Sequence, residues 1–267
     1  MIFNYQFKNR KIHLSIYQAC RLVHRALSIL NFNGISTKVC DRPTRKYISD
    51  DCGIIYFKNP LVGSQSILKI FNNSTSLSDH KKKRVYTYLV HDHFDLQKYP
   101  YTFTVVRNPW NRIASFYNKK ILNANSIARI GLISQYKDLY PGMKFSKMIS
   151  AILDIPYSQS DPHWRPQSFN VLSRNSPKYI IRFEDLSQSL PRLLSMAGVK
   201  YDSIPRTGSS ESQLFSPYSK VKLFSSLSDR SIDLLNQYYL VDRICFGYEN
   251  LHKYLRSLRD RTTNNYN

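Results

Sequence analysis

Acidic residues are scarce in this sequence. Of its 267 residues, 18 are Asp or Glu and 39 are Lys or Arg, which gives a formal net charge of +21 at pH 7. Such a balance favours anionic partners: nucleic acid, a phosphorylated cofactor, an acidic polysaccharide or an anionic membrane surface. The dense run at residues 80–84 (HKKKR) is typical of a solvated loop. The alternative is that it guides an anionic polysaccharide, with a strength that falls as salt rises.

Cysteine is also scarce. Cys20, Cys40, Cys52 and Cys245 form no C-x-x-C pair and have no histidines at zinc-ligand spacing. The sequence therefore predicts neither a disulfide framework nor a structural metal, and we expect no metal cofactor. This cysteine usage fits a reducing compartment.

Long hydrophobic runs are missing. No stretch reaches the ~18 uncharged apolar residues of a membrane span. The best candidate, residues 14–30, is interrupted by Arg21, His24 and Arg25, and it predicts an amphipathic helix rather than a signal peptide. We expect this helix to pack on the domain, with weak membrane-surface association as the alternative. The lack of a transmembrane segment favours a cytoplasmic location, with the Golgi lumen as the alternative if an anchor has been removed.

What the sequence does contain is an alternation of short apolar runs and helical patterns. The predicted strands are residues 54–57, 85–90, 103–106 and the start of 178–186; helices are predicted after residue 109, in parts of 122–160, over 187–196 and, as the last helix, over 228–239. Residues 35–53 and 161–168 read as irregular. This order predicts an α/β fold with three layers, a central parallel β-sheet flanked by helices. We expect a single domain over 1–267, with a frayed tail at 259–267.

One strand–helix unit ends its strand on an arginine. After the apolar run 103–106 comes Arg107, then Asn108, which can cap a helix, and Pro109, which suits the first helical position. Ser115 follows about two turns later. In open α/β sheets, ligands bind outside the carboxyl ends of the strands, where an arginine and a helix start both favour oxyanions. The unit therefore predicts a site for phosphate or a similar group.

A second unit contains the loop KNPLVGSQS at residues 58–66. Gly63 permits close approach of the backbone to a ligand, and Ser64 and Ser66 offer hydroxyl groups at the helix start. This composition indicates a phosphate cradle, although it is also typical of an ordinary turn. It is not a Walker A sequence, because the Gly-Lys-Ser/Thr ending is missing.

The first of these stretches resembles a motif of the sulfotransferases that use 3′-phosphoadenosine 5′-phosphosulfate (PAPS). VVRNPWNRIASFY, at 105–117, is similar to the 3′-phosphate motif of the carbohydrate sulfotransferases, V-R-N/D-P-x-x-R-x-x-S-x-F/Y. The resemblance implies that Arg107 and Ser115 bind the 3′-phosphate, and Arg112 matches the internal arginine. HWRPQ, YIIRFEDL and YYLVDRICFGYE resemble further family segments. The resemblance runs from residue 54 to 249, leaves 1–50 as an N-terminal extension, and implies the P-loop NTPase-like sulfotransferase fold.

The loop at 58–66 is similar to the 5′-phosphosulfate loop of the same family. Pro60, Gly63, Ser64 and Ser66 match the family loop, and the predicted cofactor contacts also include Lys58, Val62 and Gln65. Ser209 and Ser210 lie in a later loop that closes over the cofactor in the family or, alternatively, is only a flexible polar loop here. The family lysine after the loop proline is Leu61 here. A leucine does not neutralise a bridging oxygen. Lys58 is the candidate catalytic replacement, and the alternative is an ordinary lysine at a strand end.

Sulfuryl transfer also needs a base. The reaction is an in-line displacement in which the attacking hydroxyl loses its proton, and a neutral histidine is the usual acceptor. His91 and His93 lie at the end of a predicted strand, in a place comparable to that of the proposed base in some family members. We favour His93, and His163 in HWRPQ is the rival.

The HWRPQ segment also predicts contacts with an acceptor sugar. The predicted substrate-binding residues are His163, Trp164, Arg165 and Gln167, an aromatic and polar set that suits a saccharide. The alternative is that Trp164 and Pro166 pack the loop onto the core while Arg165 pairs with Glu184. We expect Glu184 to support the architecture through a buried ion pair.

These observations favour an enzyme that moves a sulfuryl group from PAPS to a hydroxyl of a saccharide or glycan, including anionic glycans. One alternative is a non-catalytic relative that binds PAPS or an anionic glycan, which Leu61 and the +21 charge favour. Another is a nucleotide kinase-like protein, against which the missing Gly-Lys-Ser/Thr ending argues. No RRM, zinc-finger or helix-turn-helix pattern supports a nucleic-acid partner.

Overall fold

The computed structural model describes residues 46–49, 52–73, 86–88, 98–123, 131, 133–157, 159–171, 177–199 and 216–263. These residues fall into two compact units. The first unit takes the described residues within 46–108 and 167–199, and the second takes those within 109–166 and 216–263. The single domain expected over 1–267 stays a prediction, and the expected helix at 14–30 and the basic run at 80–84 lie outside the described residues.

A mixed five-stranded sheet, in the order β3-β1-β2-β4-β5, forms the centre of the first unit. The strands are β1 (Lys46–Ser49), β2 (Ile54–Phe57), β3 (Tyr86–Tyr88), β4 (Tyr101–Val106) and β5 (Tyr179–Arg182). β2, β4 and β5 run parallel, whereas β1 is antiparallel to both β2 and β3. The expected α/β class with a central sheet flanked by helices is confirmed, but the sheet is not parallel throughout. The connection at 50–53 is too short for the crossover that a parallel pair needs.

Helices make up most of the remaining described chain. They are α1 (Ser64–Asn73), α2 (Pro109–Phe116), α3 (Phe145–Leu153), α4 (Gln167–Val171), α5 (Leu186–Met196), α6 (Pro217–Phe224), α7 (Asp229–Tyr238), α8 (Leu240–Phe246) and α9 (Leu251–Thr263). α2 continues into a π-helical turn, Tyr117–Leu122, and a 3₁₀ turn, Phe183–Asp185, precedes α5. None of the helices described is both long and apolar enough to cross a membrane.

Two sequence predictions about the C-terminal part are wrong. The helix expected to be the last is α7, yet α8 and α9 follow it. The tail expected to fray over 259–267 is helical as far as Thr263, because Leu251, Tyr254, Leu255 and Leu258 bury one face of α9, and residues 264–267 lie outside the described residues.

The core of the first unit explains why β2 is a continuous apolar run. Successive side chains of a strand point to opposite faces of the sheet. Ile54 and Tyr56 join a cluster with residues of α1 and α5, and Ile55 and Phe57 join a second cluster with Ile48. Because both faces are buried, every position of β2 is apolar.

The second unit buries the large apolar side chains of α2 and of the π-helical turn that continues it. Trp110, Ile113, Tyr117 and Ile121 are all buried. The Trp110 ring meets Tyr239 edge-on, with centroids 5.7 Å apart, and its Nε1 donates to the carbonyl of Glu249 at 3.0 Å. In the same unit α9 packs against α6, and α7 packs against α3.

Candidate functional site

The loop between β2 and α1 contains two residues, Leu61 and Gly63, with a left-handed backbone conformation. Leu61 has φ +64°, and it is the only residue other than glycine with a positive φ in the described part of the chain. The left-handed region disfavours residues that carry a Cβ. Gly63 has φ +77°, and a Cβ added there would lie 2.8 Å from Cε2 of Phe183. Both its conformation and the Phe183 ring therefore require glycine at position 63.

The hydroxyl of Ser64 is engaged within the loop itself. Ser64 Oγ donates to the carbonyl of Asn59 at 2.8 Å, so the hydroxyl of Tyr56, 3.0 Å away, is the donor in their mutual bond. Burial raises the pKa of Tyr56 well above its usual value, which keeps that hydroxyl protonated. What the start of α1 offers an anion is the backbone N–H groups of Ser64 and Gln65, its first two residues, which precede the bonds from Ser66 and Ile67 to the carbonyl of Gly63.

The other predicted loop residues differ in exposure. Val62 is fully buried in the core cluster, so it can contribute only backbone groups to a ligand, whereas Gln65 is exposed. Nζ of Lys58 lies 5.7 Å from the ring centroid of Tyr47, within cation–π range. Lys58 thus lies against the neighbouring strand β1, and its role as the replacement cation stays a prediction.

Arg107 lies directly after β4, where it contacts the 58–66 loop. Its Nη1 donates to the carbonyl of Leu61 at 3.1 Å, although the two residues are 46 positions apart. Its guanidinium carbon lies 4.7 Å from the ring centroid of Phe183. Since β2, β4 and β5 are parallel, the residues that follow them meet at one edge of the sheet. Two elements that the sequence predicted as separate oxyanion sites are therefore in contact.

Gln167 joins these two elements, although the sequence analysis placed it with the acceptor sugar. It is fully buried, and its amide bonds the backbone N–H and carbonyl of Arg107. Its Oε1 also accepts from Nδ2 of Asn59 at 3.2 Å, and Asn170 donates to Oδ1 of Asn59 at 2.9 Å. Asn59 and Asn170 were not among the site residues predicted from the sequence. The available signal for Asn59 was its place as the second residue of the glycine-containing loop, close behind a buried strand.

Glu184 differs from the expectation of a buried ion pair, because its side chain is exposed. Its Oε1 accepts from the backbone N–H of Asn108 at 2.9 Å. An acceptor at this position satisfies an N–H that immediately precedes the start of α2.

In the second unit, His163 forms a close pair with Asp161. Nδ1 of His163 lies 2.6 Å from Oδ1 of Asp161, and the His163 backbone N–H donates to the same oxygen at 2.8 Å. Burial by itself would raise the pKa of the Asp161 carboxyl, but its hydrogen bonds with His163 and the nearby charges of His163 and Arg165 together outweigh burial and hold that pKa below its usual value. The imidazole side chain is 26% exposed. A ring held by a carboxylate at Nδ1 has a defined orientation, with Nε2 on its opposite side.

Buried arginine and tryptophan residues hold the loop around His163. Arg112 is fully buried and donates to the carbonyls of Arg165 and Pro162. Burial lowers the pKa of the Arg112 guanidinium, while the nearby Tyr239 and Asp242 oppose that shift. Arg165 itself is almost fully buried. The internal arginine of the motif therefore organises the 161–166 loop.

Trp164 is fully buried, with its ring against Phe116 and Tyr136 at centroid distances of 5.0 and 4.7 Å. Its carbonyl accepts from the hydroxyl of Tyr239 at 2.7 Å. This position favours the packing alternative for Trp164 over contact with a sugar. Ser115, which was predicted to contact the 3′-phosphate, is fully buried on α2.

Four predicted site residues lie outside the described residues: His91, His93, Ser209 and Ser210. Within the described part of the chain, no group of three His, Cys, Asp or Glu residues could hold a metal ion.

Comparison with known protein families places most of this chain in one family. No curated protein and no solved structure matches the chain significantly. The model of the sulfotransferase family matches residues 44–249, which begins before the resemblance at residue 54 and ends at the same residue. This match covers the loop at 58–66, Arg107, Gln167 and His163, and it extends over most of the sequence. The chain therefore belongs to the sulfotransferase family.

Proposed function

We propose that this protein transfers a sulfuryl group from PAPS to a hydroxyl group of a saccharide or glycan. Membership of the sulfotransferase family supports sulfuryl transfer in general. The observation that supports PAPS as the donor is the hydrogen bond from Arg107 to the carbonyl of Leu61. This bond places the guanidinium of Arg107 against the glycine-containing loop.

The residues at this edge of the sheet fit a ligand with two anionic groups. The guanidinium of Arg107 suits a phosphate, and the N–H groups at the start of α1 suit a second oxyanion. Positive φ angles at Leu61 and Gly63 bring the backbone of the loop close to such a group. PAPS carries a 3′-phosphate and a 5′-phosphosulfate, and when bound it supplies the activated sulfuryl group.

The chain must also supply a base. In the reaction a bond forms between the acceptor oxygen and sulfur, the bond from sulfur to the nucleotide oxygen breaks with its electron pair, and the hydroxyl proton passes to the base. His93 is the favoured base and His91 the alternative. His163 is the rival, and its pairing with Asp161 through Nδ1 supports that role, because it orients the ring and leaves Nε2 to accept a proton.

A non-catalytic relative that binds PAPS or an anionic glycan is the second proposal. Leu61 stands where the family has a lysine, and Lys58 lies against the ring of Tyr47. A cation beside the oxygen that bridges sulfur and the nucleotide stabilises charge mainly in the transition state. Its loss therefore lowers the rate of transfer more than the affinity for PAPS.

The test uses the full chain and two measurements. The first is transfer from sulfur-labelled PAPS to a panel of neutral and anionic glycans. The second is calorimetric binding of 3′-phosphoadenosine 5′-phosphate (PAP) to wild type, to Arg107→Ala and to Arg230→Ala, which removes an exposed arginine as a charge-matched control. We expect transfer to at least one glycan, loss of PAP binding in Arg107→Ala and unchanged binding in Arg230→Ala.

Each other result has a distinct meaning. PAP binding without transfer to any acceptor supports the non-catalytic relative. Unchanged PAP affinity in Arg107→Ala contradicts the site assignment. If the wild-type protein binds ATP but does not bind PAP, the PAPS proposal is contradicted and the kinase-like alternative is favoured.

A further inference from the structure

We propose that Gln167 is a positioning residue that holds the arginine for the 3′-phosphate and the loop for the 5′-phosphosulfate at a fixed separation. This inference rests on the proposed function, since it takes PAPS as the ligand. It assigns Gln167 to the cofactor rather than to the acceptor sugar.

The first contact of Gln167 is with the backbone of Arg107. Nε2 of Gln167 donates to the carbonyl of Arg107 at 2.7 Å, and Oε1 accepts the Arg107 N–H at 2.8 Å. β4 ends at Val106, so Arg107 lies beyond the last residue of that strand. The glutamine amide supplies the pair of bonds that a neighbouring strand supplies in a ladder. The backbone from which the arginine side chain extends is thereby fixed.

The second contact is with the start of the loop. Oε1 of Gln167 also accepts from Nδ2 of Asn59 at 3.2 Å, and Asn170, on the same short helix α4, donates to Oδ1 of Asn59 at 2.9 Å. The carbonyl of Asn59 in turn accepts from Ser64 Oγ at the start of α1. One glutamine side chain therefore connects the residue after β4 with the loop after β2.

The guanidinium end of Arg107 is held separately. It donates to the carbonyl of Leu61 and lies over the ring of Phe183, which also limits the space at Gly63. These contacts hold the guanidinium end of the Arg107 side chain, whereas Gln167 holds the Arg107 backbone. Together they fix both ends of the arginine relative to the loop.

A fixed separation matters because the two anionic groups of PAPS are attached to one nucleoside. A ligand of this kind makes both contacts at full strength only where the protein holds the two sites at the matching distance before binding. Gln167 is fully buried, and loss of its amide leaves part-buried backbone groups of Arg107 without this partner. We therefore expect its removal to weaken the binding of a bisphosphate more than that of a monophosphate.

The test compares PAP with adenosine 5′-phosphate, which lacks the 3′-phosphate, by calorimetry on the full chain. The variants are Gln167→Ala and Gln188→Ala, a control that truncates an exposed glutamine of α5. We expect Gln167→Ala to lower the affinity for PAP by at least ~10-fold and the affinity for adenosine 5′-phosphate by less than ~3-fold. The control should change neither affinity.

Equal losses for both ligands, or no loss for PAP, would overturn the positioning role. A wild-type protein that binds both ligands equally overturns the proposed function instead. If Gln167→Ala does not fold, Gln167→Met retains most of the side-chain volume and carries the same comparison. Failure of both variants to fold would also overturn the proposal, because a positioning role must be separable from folding.

Discussion

The carbonyl of Leu61 accepts a hydrogen bond from Nη1 of Arg107, while Leu61 itself occupies a left-handed backbone conformation. A left-handed leucine is uncommon, and such strain persists only where surrounding contacts hold it. The arginine proposed to bind the 3′-phosphate is thus bonded to the strained residue of the loop proposed to bind the 5′-phosphosulfate.

The strain at Leu61 is measurable with two substitutions. Leu61→Ala removes the side chain but keeps a Cβ at φ +64°, whereas Leu61→Gly also removes the steric penalty. We expect the glycine variant to be more stable than the alanine variant by about 1 kcal/mol in urea unfolding. At Leu234, an exposed site within α7, the same pair should show the opposite order, because glycine disfavours a helix interior. The same order at both sites would contradict strain at Leu61.

Gly63→Ala tests the contact between the loop and Phe183. The new Cβ would meet both a positive φ and the ring at 2.8 Å, whereas at Gly198 the φ is +66° with nothing within 4 Å. Gly198→Ala therefore measures the conformational penalty alone, about 1 kcal/mol, and Gly63→Ala should lose roughly 2–3 kcal/mol in the same unfolding assay. Equal losses of stability at the two glycines would show that the Phe183 ring moves aside without a measurable loss of stability.

The sequence predicts those elements whose apolar residues follow the pattern of a buried strand or of a helix. β2 and the core of β4 read as apolar runs because both sheet faces are covered, and the large apolar residues of α2, Trp110 and Ile113, are buried at helical spacing. β1 was missed, since its four residues, KYIS, have only two apolar side chains between a lysine and a serine and read as irregular. Its place is set by pairing with β2 and β3, which the local sequence does not encode.

The candidate site was predictable in its chemistry but not in its contacts. Arg107 and the 58–66 loop stand out by composition and by resemblance, yet their mutual hydrogen bond depends on the order of the strands. No local preference of leucine indicates a positive φ at Leu61. Gln167 and Trp164 sit beside a histidine and an arginine, which suggests a polar sugar-binding surface, and only the structure shows that both are buried.

Leu61 and Lys58 together give a prediction about transfer. If Lys58 replaces the family lysine, Lys58→Ala removes transfer while PAP binding stays largely intact. Leu61→Lys should then restore transfer in that background and raise kcat by at least ~10-fold in the wild type, because a cation regains its place near the leaving oxygen. Labelled PAPS turnover measures both effects, and Lys98→Ala, at an exposed lysine, is the control. Full activity in Lys58→Ala would refute the replacement.

The pair of Asp161 and His163 predicts a pH dependence of stability. The pKa of Asp161 is lowered in the native state from its ordinary value of 3.8. A depressed carboxyl pKa contributes stability above that ordinary value, and the contribution is lost as pH falls through the native pKa. The difference in unfolding free energy between wild type and Asp161→Asn should therefore be constant near neutral pH and shrink below pH 3.8. Asp138→Asn, at an exposed carboxyl, is the control, and an equal change in both variants would contradict the prediction.

The base of the reaction can be assigned by comparing three histidines. We expect His93→Ala to lower kcat by about 10²–10⁴-fold with unchanged PAP affinity, because a general base acts in the transition state and not on the bound nucleotide. The fall of kcat at acidic pH should disappear in the same variant. His91→Ala and His163→Ala should keep most of the rate, as should the exposed control His252→Ala. If kcat falls in His163→Ala instead, it should also fall in Asp161→Asn, since the Asp161 carboxylate then orients the imidazole that acts as the base.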